Sequence, residues 1–288
     1  MGLTAFFARV TAGCSRKADI SQLEYRIMKI AYYPGCTLKN KAKDLDRYAI
    51  ESAAVLGYEL EEIENWQCCG GAYTSAKDEI ATKLPAVRAL AAGRDCGGRV
   101  LTVCSACYNV LKQTNHEFTV NPDFDLRVNN YLAPDFAYHG EAKVLHYLEL
   151  LRDEIGFDNL AKKVVKPLTG KKIAAYYGCL LLRPSSVLQF DSPENPEIME
   201  NFIRALGAEP VIWSQRNECC GGYITLEDPA QAKKRSSAVV QSARDMDADF
   251  MITACPLCLY NLTKNASDPL PVRYFTEVLA EALGLIEK

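Results

Sequence analysis

Cysteine is the residue whose placement in this chain could do chemistry. Ten of the twelve cysteines fall into two matched sets of five. The first set opens at Cys36, at the end of Tyr32-Tyr33-Pro34-Gly35-Cys36. It continues at Cys68-Cys69-Gly70-Gly71 and closes at Cys104-Ser105-Ala106-Cys107. The second opens at Cys179 in Tyr176-Tyr177-Gly178-Cys179, continues at Cys219-Cys220-Gly221-Gly222 and closes at Cys255-Pro256-Leu257-Cys258. Between Cys69 and Cys104, and again between Cys220 and Cys255, lie 34 residues. The first gap differs, with 31 residues before Cys68 and 39 before Cys219. Where thiols stay reduced, repeated spacing of this kind marks metal binding or catalysis more often than disulfides.

The donor count bears on the metal. A structural zinc takes four ligands in a tetrahedron, and each set here has five. Adjacent residues in extended chain send their side chains in opposite directions, so a Cys-Cys pair serves two metal atoms more readily than one. Both points favour a polynuclear iron–sulfur centre held by thiolates, with zinc or a redox dithiol as the alternatives. Gly70, Gly71, Gly221 and Gly222 fit close backbone approach to such a group, since glycine also adopts positive φ. As plain turn residues they would need no ligand.

Composition narrows the class. The chain has 288 residues, 49% hydrophobic and 24% charged, with a net charge of -3. It is long enough for two domains, and it carries no basic excess that would point to nucleic acid. No apolar run reaches the roughly 18–20 residues of a membrane span, and the N-terminus lacks the regions of a secretory signal. The expected location is cytoplasmic.

The elements that must position the cysteines alternate. Strands are expected at 27–33, 58–63, 99–103 and 143–146, and again at 172–177, 210–213, 250–253 and 271–274. Helices are expected at about 44–56, 75–92 (kinked at Pro85), 104–113 and up to 155. In the second half they are expected after Asn195-Pro196 as a cap, from Asp228-Pro229 to about 246, after Cys255 and at 275–283. The segment 117–142 reads as irregular. Alternation of this kind argues for α/β architecture: two pseudo-symmetric domains, each a small, mainly parallel sheet flanked by helices. Residues 1–26 form an extension, 27–168 the first domain and 169–288 the second. Every cysteine of both sets then follows a strand, which gathers each set at the strand C-terminal edge, where ligands bind in open parallel sheets. Pro256 at a first helical position places Cys255 at a helix start, a setting that favours thiolate.

The paired cysteine motifs, together with Tyr-Tyr-Pro-Gly-Cys-Thr-Leu-Lys at 32–39, resemble the duplicated CCG domains of the B-type subunits of heterodisulfide reductases, from about Lys29 onward. The resemblance implies one noncubane [4Fe-4S] cluster per half. Cys36, Cys68, Cys69, Cys104 and Cys107 would hold the first. Cys179, Cys219, Cys220, Cys255 and Cys258 would hold the second. It further implies a catalytic subunit that reduces a disulfide to two thiols in a cleft between the clusters. Its electrons would come from a ferredoxin-like iron–sulfur subunit of the C type and a flavoprotein subunit of the A type. A related subunit of succinate or fumarate dehydrogenases, exchanging electrons with a quinone or thiol, is the alternative, as is a non-catalytic relay.

Other polar residues are weaker candidates. His146 follows a strand end and could donate protons, although packing is the plainer role. Lys39, Lys41 and Arg183 lie in loops after the first cysteines and could hold an anion, or could be solvated charges. Cys14 and Cys96 stand outside both sets, and His116 and His139 sit in polar surroundings.

Overall fold

The computed structural model describes residues 27–71, 79–132 and 137–287. The first half runs β1 (Met28–Tyr32), α1 (Cys36–Asn40), α2 (Lys43–Val55), β2 (Tyr58–Glu62), α3 (Glu79–Asp95), β3 (Arg99–Thr102), α4 (Ser105–Val120), α5 (Pro122–Tyr131), β4 (Lys143–His146) and α6 (Tyr147–Glu149). A wider π-type segment, Leu150–Ile155, leads from α6 to α7 (Phe157–Lys163). The second half follows with β5 (Lys172–Tyr176), α8 (Ser185–Leu188), α9 (Ile198–Ala205), β6 (Glu209–Val211), α10 (Pro229–Arg244), β7 (Phe250–Thr253), α11 (Pro256–Asn265), β8 (Val272–Tyr274) and α12 (Phe275–Ala282).

The strands form two four-stranded sheets, ordered β2-β1-β3-β4 and β6-β5-β7-β8. Every pairing is parallel. The α/β architecture, with two small parallel sheets flanked by helices, is therefore as the alternating pattern predicts. Helices on both faces require apolar central strands, and β7, Phe-Met-Ile-Thr, is buried throughout. Edge strand β2, Tyr-Glu-Leu-Glu-Glu, keeps its charges in solvent, which discourages further pairing.

Three expectations need correction. The stretch 117–142 is not irregular through its length. Helix α4 runs on to Val120, and Asn121 then caps α5 by accepting from the Phe124 N–H at 3.1 Å. Buried Phe124 and Val128 make this second helix worth forming, since Phe124 packs on Phe118 of α4, which in turn meets Tyr138. Asn195 does not cap α9. The Asp191 carboxylate takes the Glu197 and Ile198 N–H groups at 2.7 and 2.8 Å instead. The helix that starts at Tyr147 does not continue as regular α-helix to Ile155, because the π-type segment intervenes. The extension 1–26 with Cys14, and the helix start at Ser75, lie outside the described residues.

The halves share one apolar core, in which Tyr147 and Leu148 pack with Phe202, Phe275 and Leu279. Backbone carbonyls of each half are met by side chains of the other. Thr276 donates to the Leu45 carbonyl at 3.1 Å, Tyr108 to Leu188 at 3.1 Å, and Asn109 to Leu180 and Arg183 at 2.7 and 2.8 Å. Each such bond contributes about 0.5–1.5 kcal/mol net, and more is lost if a buried partner is orphaned.

One buried ion pair braces the approach to the second cysteine set. Arg216 and Glu200 meet at 2.9 Å with side chains 6% and 1% exposed. Tyr177 also donates to Glu200, and Asn195 accepts from Arg216. The Arg216 carbonyl accepts from the Tyr177 and Gly178 N–H groups at 2.8 and 3.3 Å, directly before Cys179. Burial raises the Glu200 carboxyl, while Tyr177 and Arg216 favour its charged form. Removing one partner of such a pair strands a buried charge, at a cost of about 3–5 kcal/mol. Arg216→Met is expected to lower the unfolding free energy of the anaerobic protein by that order, read as a lower thermal midpoint. Arg216→Met with Glu200→Leu should recover much of the loss. A single variant as stable as the parent would refute the assignment.

Candidate metal centres

In each sheet the strand order reverses between the first and third strands, and ligands of open parallel sheets bind at that switch point, beyond the strand ends. The cysteines stand there. Cys36 begins α1 just after β1, and Cys104 is the N-cap of α4 just after β3. Cys255 is the N-cap of α11 after β7, with Pro256 at the first helical position as predicted.

Within each set the thiols meet in pairs. The Cys68 and Cys36 Sγ atoms are 3.4 Å apart, and Cys69 and Cys107 are 3.6 Å apart. In the second set Cys220 lies 3.5 Å from Cys258, and Cys219 shares a hydrogen bond with Cys179. Cys68 and Cys69 thus reach different further partners, although their own thiols also share a hydrogen bond, while Cys219 and Cys220 face Cys179 and Cys258. Among the described residues no group of three or more Cys, His, Asp or Glu side chains is arranged to hold a single metal ion. Cys69, Cys104, Cys107, Cys220, Cys255 and Cys258 are buried, while Cys36, Cys68, Cys179 and Cys219 are half-buried.

Shared protons polarise these pairs. Thiols of Cys107 and Cys68 donate toward Cys69 and hold it far below the usual thiol range, while Cys107 is pushed up. Cys179 does the same for Cys219, and Cys258 for Cys220. Backbone amides add to this, because the Gly71 N–H serves Cys69 and the Gly222 N–H serves Cys220. Gly70 and Gly221 have φ of 78° and 81°, a left-handed conformation that glycine adopts without strain.

Two further glycines, beyond those singled out in the sequence, shape the sites. A Cβ on Gly35, whose φ is 79°, would lie 2.7 Å from the Cys107 Sγ. On Gly178, with φ of 63°, it would lie 3.3 Å from the Cys258 Sγ. Two tyrosines are the other matched features that sequence reasoning missed. Tyr33 donates to the Gln67 carbonyl at 2.6 Å and Tyr176 to the Glu218 carbonyl at 2.7 Å. Each ties the end of a central strand to the residue before a double cysteine. Tyr33 therefore matches Tyr176, and the Tyr-Tyr pairs of the two motifs are offset by one residue. The signal was present in the equal spacing from Tyr33 to Cys36 and from Tyr176 to Cys179.

The two sets adjoin. The Ala254 carbonyl accepts the Ser105 N–H at 3.0 Å and the Ser105 hydroxyl at 2.8 Å. The Tyr274 hydroxyl lies 2.6 Å from the Val103 carbonyl and 2.9 Å from that of Ala254. These residues flank Cys104 and Cys255, and Ser105 and Tyr274 are fully buried. Tyr223 makes another link, donating to the Gly71 carbonyl at 2.6 Å. Burial raises its phenol, as do Cys255 and Cys179 of the second set and Cys69 and Cys104 of the first. A cavity of about 600 Å³ opens beside the first set, walled by Cys69, Gly70, Gly71, Lys83, Gln113 and Glu117 among others.

The remaining candidates have structural work. His146 is fully buried among Tyr108, Phe190 and Phe275, and its Nδ1 accepts the Leu148 N–H at 3.2 Å. Burial pushes the ring down to about 3, against the opposing pull of the Val103 carbonyl. It stays neutral near pH 7 and supplies no imidazolium proton. Lys39 is bound to Asp46 and Glu62 at 2.8 and 2.6 Å. Arg183 donates to the Asn217 carbonyl at 2.9 Å. Lys41 is exposed, as is Cys96 at the end of α3.

Doubly wound α/β halves with thiols gathered at both switch points define a duplicated cysteine-rich class. The chain belongs to the family of the cysteine-rich domain CCG, matched at residues 30–112 and 173–263. It is 32% identical to the 8-methylmenaquinol:fumarate reductase membrane anchor subunit of Wolinella succinogenes, over 90% of this chain and 94% of that one. To a protein of Archaeoglobus profundus named for its likeness to the B-type subunit of heterodisulfide reductase it is 28% identical, over 90% and 91%. A hypothetical protein from Helicobacter pylori shares the fold with a TM-score of 0.70 at 13% identity, over 90% of this chain and 49% of that chain. By name, the Wolinella and Archaeoglobus relatives are, or resemble, subunits of reductase complexes. Among the described residues no helix is long and apolar enough to cross a membrane.

The residues present fit a sulfur-ligated cluster. All donors are thiols, they touch one another without converging on a single metal ion among the described residues, and glycines stand where a Cβ would crowd them. Adding that Cβ is the direct test. Gly35→Ala combines a left-handed strain of about 1–2 kcal/mol with overlap of the Cys107 thiol. It is expected to lower the iron retained by the purified protein by more than half. Gly178→Ala, with its longer contact, should lose less. Equal iron in both variants and the parent would show that neither approach matters.

Proposed function

We propose that the first set (Cys36, Cys68, Cys69, Cys104 and Cys107) and the second set (Cys179, Cys219, Cys220, Cys255 and Cys258) each hold one noncubane [4Fe-4S] cluster. In this reading the chain is the catalytic iron–sulfur subunit of a heterodisulfide reductase-like complex. It reduces a disulfide, with two electrons and two protons, to two thiols. The observation that carries the reading is the pair of complete five-thiol sets whose Cys104 and Cys255 loops are bonded to each other.

Clusters bound there would supply one-electron equivalents and Lewis-acidic iron for developing thiolates. The chain's own contribution is placement. The Ser105–Ala254 contact fixes the two sets relative to one another, which removes the encounter entropy of a two-site reaction. Tyr33 and Tyr176 hold the loops that present the double cysteines. The wall of the cavity beside Cys69 offers room for one substrate arm. Electrons would arrive from a ferredoxin-like subunit and, beyond it, a flavoprotein, in the cytoplasm.

A second reading has its own support. The Wolinella relative, matched over 94% of its length, is named as a fumarate reductase membrane anchor subunit. On that reading the same two clusters exchange electrons with a quinol at a membrane surface.

Anaerobically purified protein should contain about eight irons and eight acid-labile sulfides per chain, four of each per set. Cys69→Ser should lose the first cluster and Cys220→Ser the second, each leaving the other half loaded. Two zinc ions without sulfide would end the iron–sulfur reading. With a low-potential dye as donor, either substitution should abolish disulfide reduction rather than halve it. Turnover with a menaquinol analogue but with no disulfide would select the second reading.

A further inference from the structure

Tyr223 lies three residues beyond Cys220, in a short 3-10 turn spanning Gly222–Ile224. Its ring is 38% exposed, so burial alone does not hold it in place. Its hydroxyl nonetheless crosses to the other half and donates to the Gly71 carbonyl at 2.6 Å. Gly71 is itself buried, and a Cβ on it would stand 3.5 Å from the Cys69 Sγ, 3.5 Å from Val110 and 3.7 Å from Ala106. Its backbone thus packs against the Cys69 sulfur. A single residue of the first half therefore abuts a proposed ligand and has its carbonyl on a side chain of the second half. Gly71 also walls the 600 Å³ cavity beside Cys69.

Hydrogen bonds to ligand sulfur are among the terms that set cluster potentials. They stabilise the more negative, reduced form, so loosening one moves the potential down. Glycine has no side chain to hold its peptide planes, and the Tyr223 bond to its carbonyl does that work here. Resting on the two-cluster reading above, we infer that Tyr223 is a positioning residue for the first centre: by fixing Gly71 it holds that backbone against the Cys69 sulfur, so that the second half tunes the potential of the cluster in the first. Tyr223 needs no contact with substrate or iron for this. Its action passes through Gly71.

The test uses the full anaerobic protein and Tyr223→Phe, which removes one hydroxyl and keeps the ring. Paramagnetic signals are first assigned to the two sets by their loss in Cys69→Ser and Cys220→Ser. Potentiometric titration of Tyr223→Phe should then shift the midpoint of the first cluster negative by about tenfold in reduced-to-oxidised ratio, about 59 mV for a one-electron couple. The second cluster, although nearer in sequence, should titrate as in the parent. An unchanged first midpoint, a shift confined to the second cluster or an equal shift of both would overturn the inference. If the variant loses iron, the same logic applies. Loss confined to the first set supports the role, and loss from the second set refutes it. Failure of the cluster reading itself would already be visible in the parent, as zinc without sulfide.

Discussion

A buried carbonyl must be paired, and two of them, on Val103 and Ala254, govern how the halves of this protein meet. Both lie one residue before a cysteine that caps a helix. The Ala254 oxygen has two lone pairs, which the Ser105 N–H and hydroxyl fill at 3.0 and 2.8 Å. The Tyr274 hydroxyl has one proton to give, and the Val103 oxygen at 2.6 Å is its nearer acceptor. With those acceptors satisfied the junction can be dry. Unsatisfied, each would cost about 1–3 kcal/mol, and water would have to enter between the two cysteine sets.

The junction also shows where the duplication is imperfect. Pseudo-symmetry would have the residue after Cys255 donate its N–H to Val103, as Ser105 does to Ala254. That residue is Pro256, which has no N–H. The Tyr274 hydroxyl takes over the vacant acceptor. In the first sheet the place of Tyr274, opposite the last residue of the third strand, belongs to His146. Its Nδ1 is occupied by the Leu148 N–H, so the neutral ring carries its proton on Nε2, which has no partner within hydrogen-bond geometry among the described residues. The proline that starts α11 well is thus coupled to the choice of tyrosine at one strand end.

The gathering of the cysteines and the sheets were legible in the sequence because both follow from local periodicity. Strand runs alternate with helices, and every cysteine follows a strand, so their convergence needs only the parallel-sheet rule. Asn121-Pro122 is a cap-and-first-turn pair of the kind that opens a helix, so α5 was legible in principle. It was obscured by the polar residues around it. What could not be read were contacts set by distant partners. Asp191 displaces Asn195 as the cap of α9 because Arg216, 21 residues further on, takes the Asn195 side chain. Lys39 looked available to an anion, but Asp46 and Glu62 neutralise it from elements on either side. Tyr223 gave no signal beyond its place after a Cys-Cys-Gly-Gly run, because its partner lies 152 positions away.

Matched ligands need not make matched sites. Both sets have five thiols, a crowded glycine and a tyrosine tied to the loop before the double cysteine. Their surroundings differ. Trp66, beside Tyr33, is held by Glu62 through its ring N–H at 2.8 Å, whereas Trp213, beside Tyr176, donates to the Ala175 carbonyl at 3.0 Å. A carboxylate thus holds the first tryptophan where a backbone carbonyl holds the second. The Cys220 carbonyl is gripped by Ser236 and Asn261 at 3.1 and 2.6 Å, which ties the second double cysteine to α10 and α11 of its own half. The loop after the first double cysteine is also tied to Tyr223, across the junction, in addition to the Tyr33 bond from its own half. A site braced within its own half is set by local folding, whereas a site braced from the other half is correct only when both halves are in place. That dependence makes the first set the one that reports on the integrity of the whole, and it is the set beside which the cavity opens.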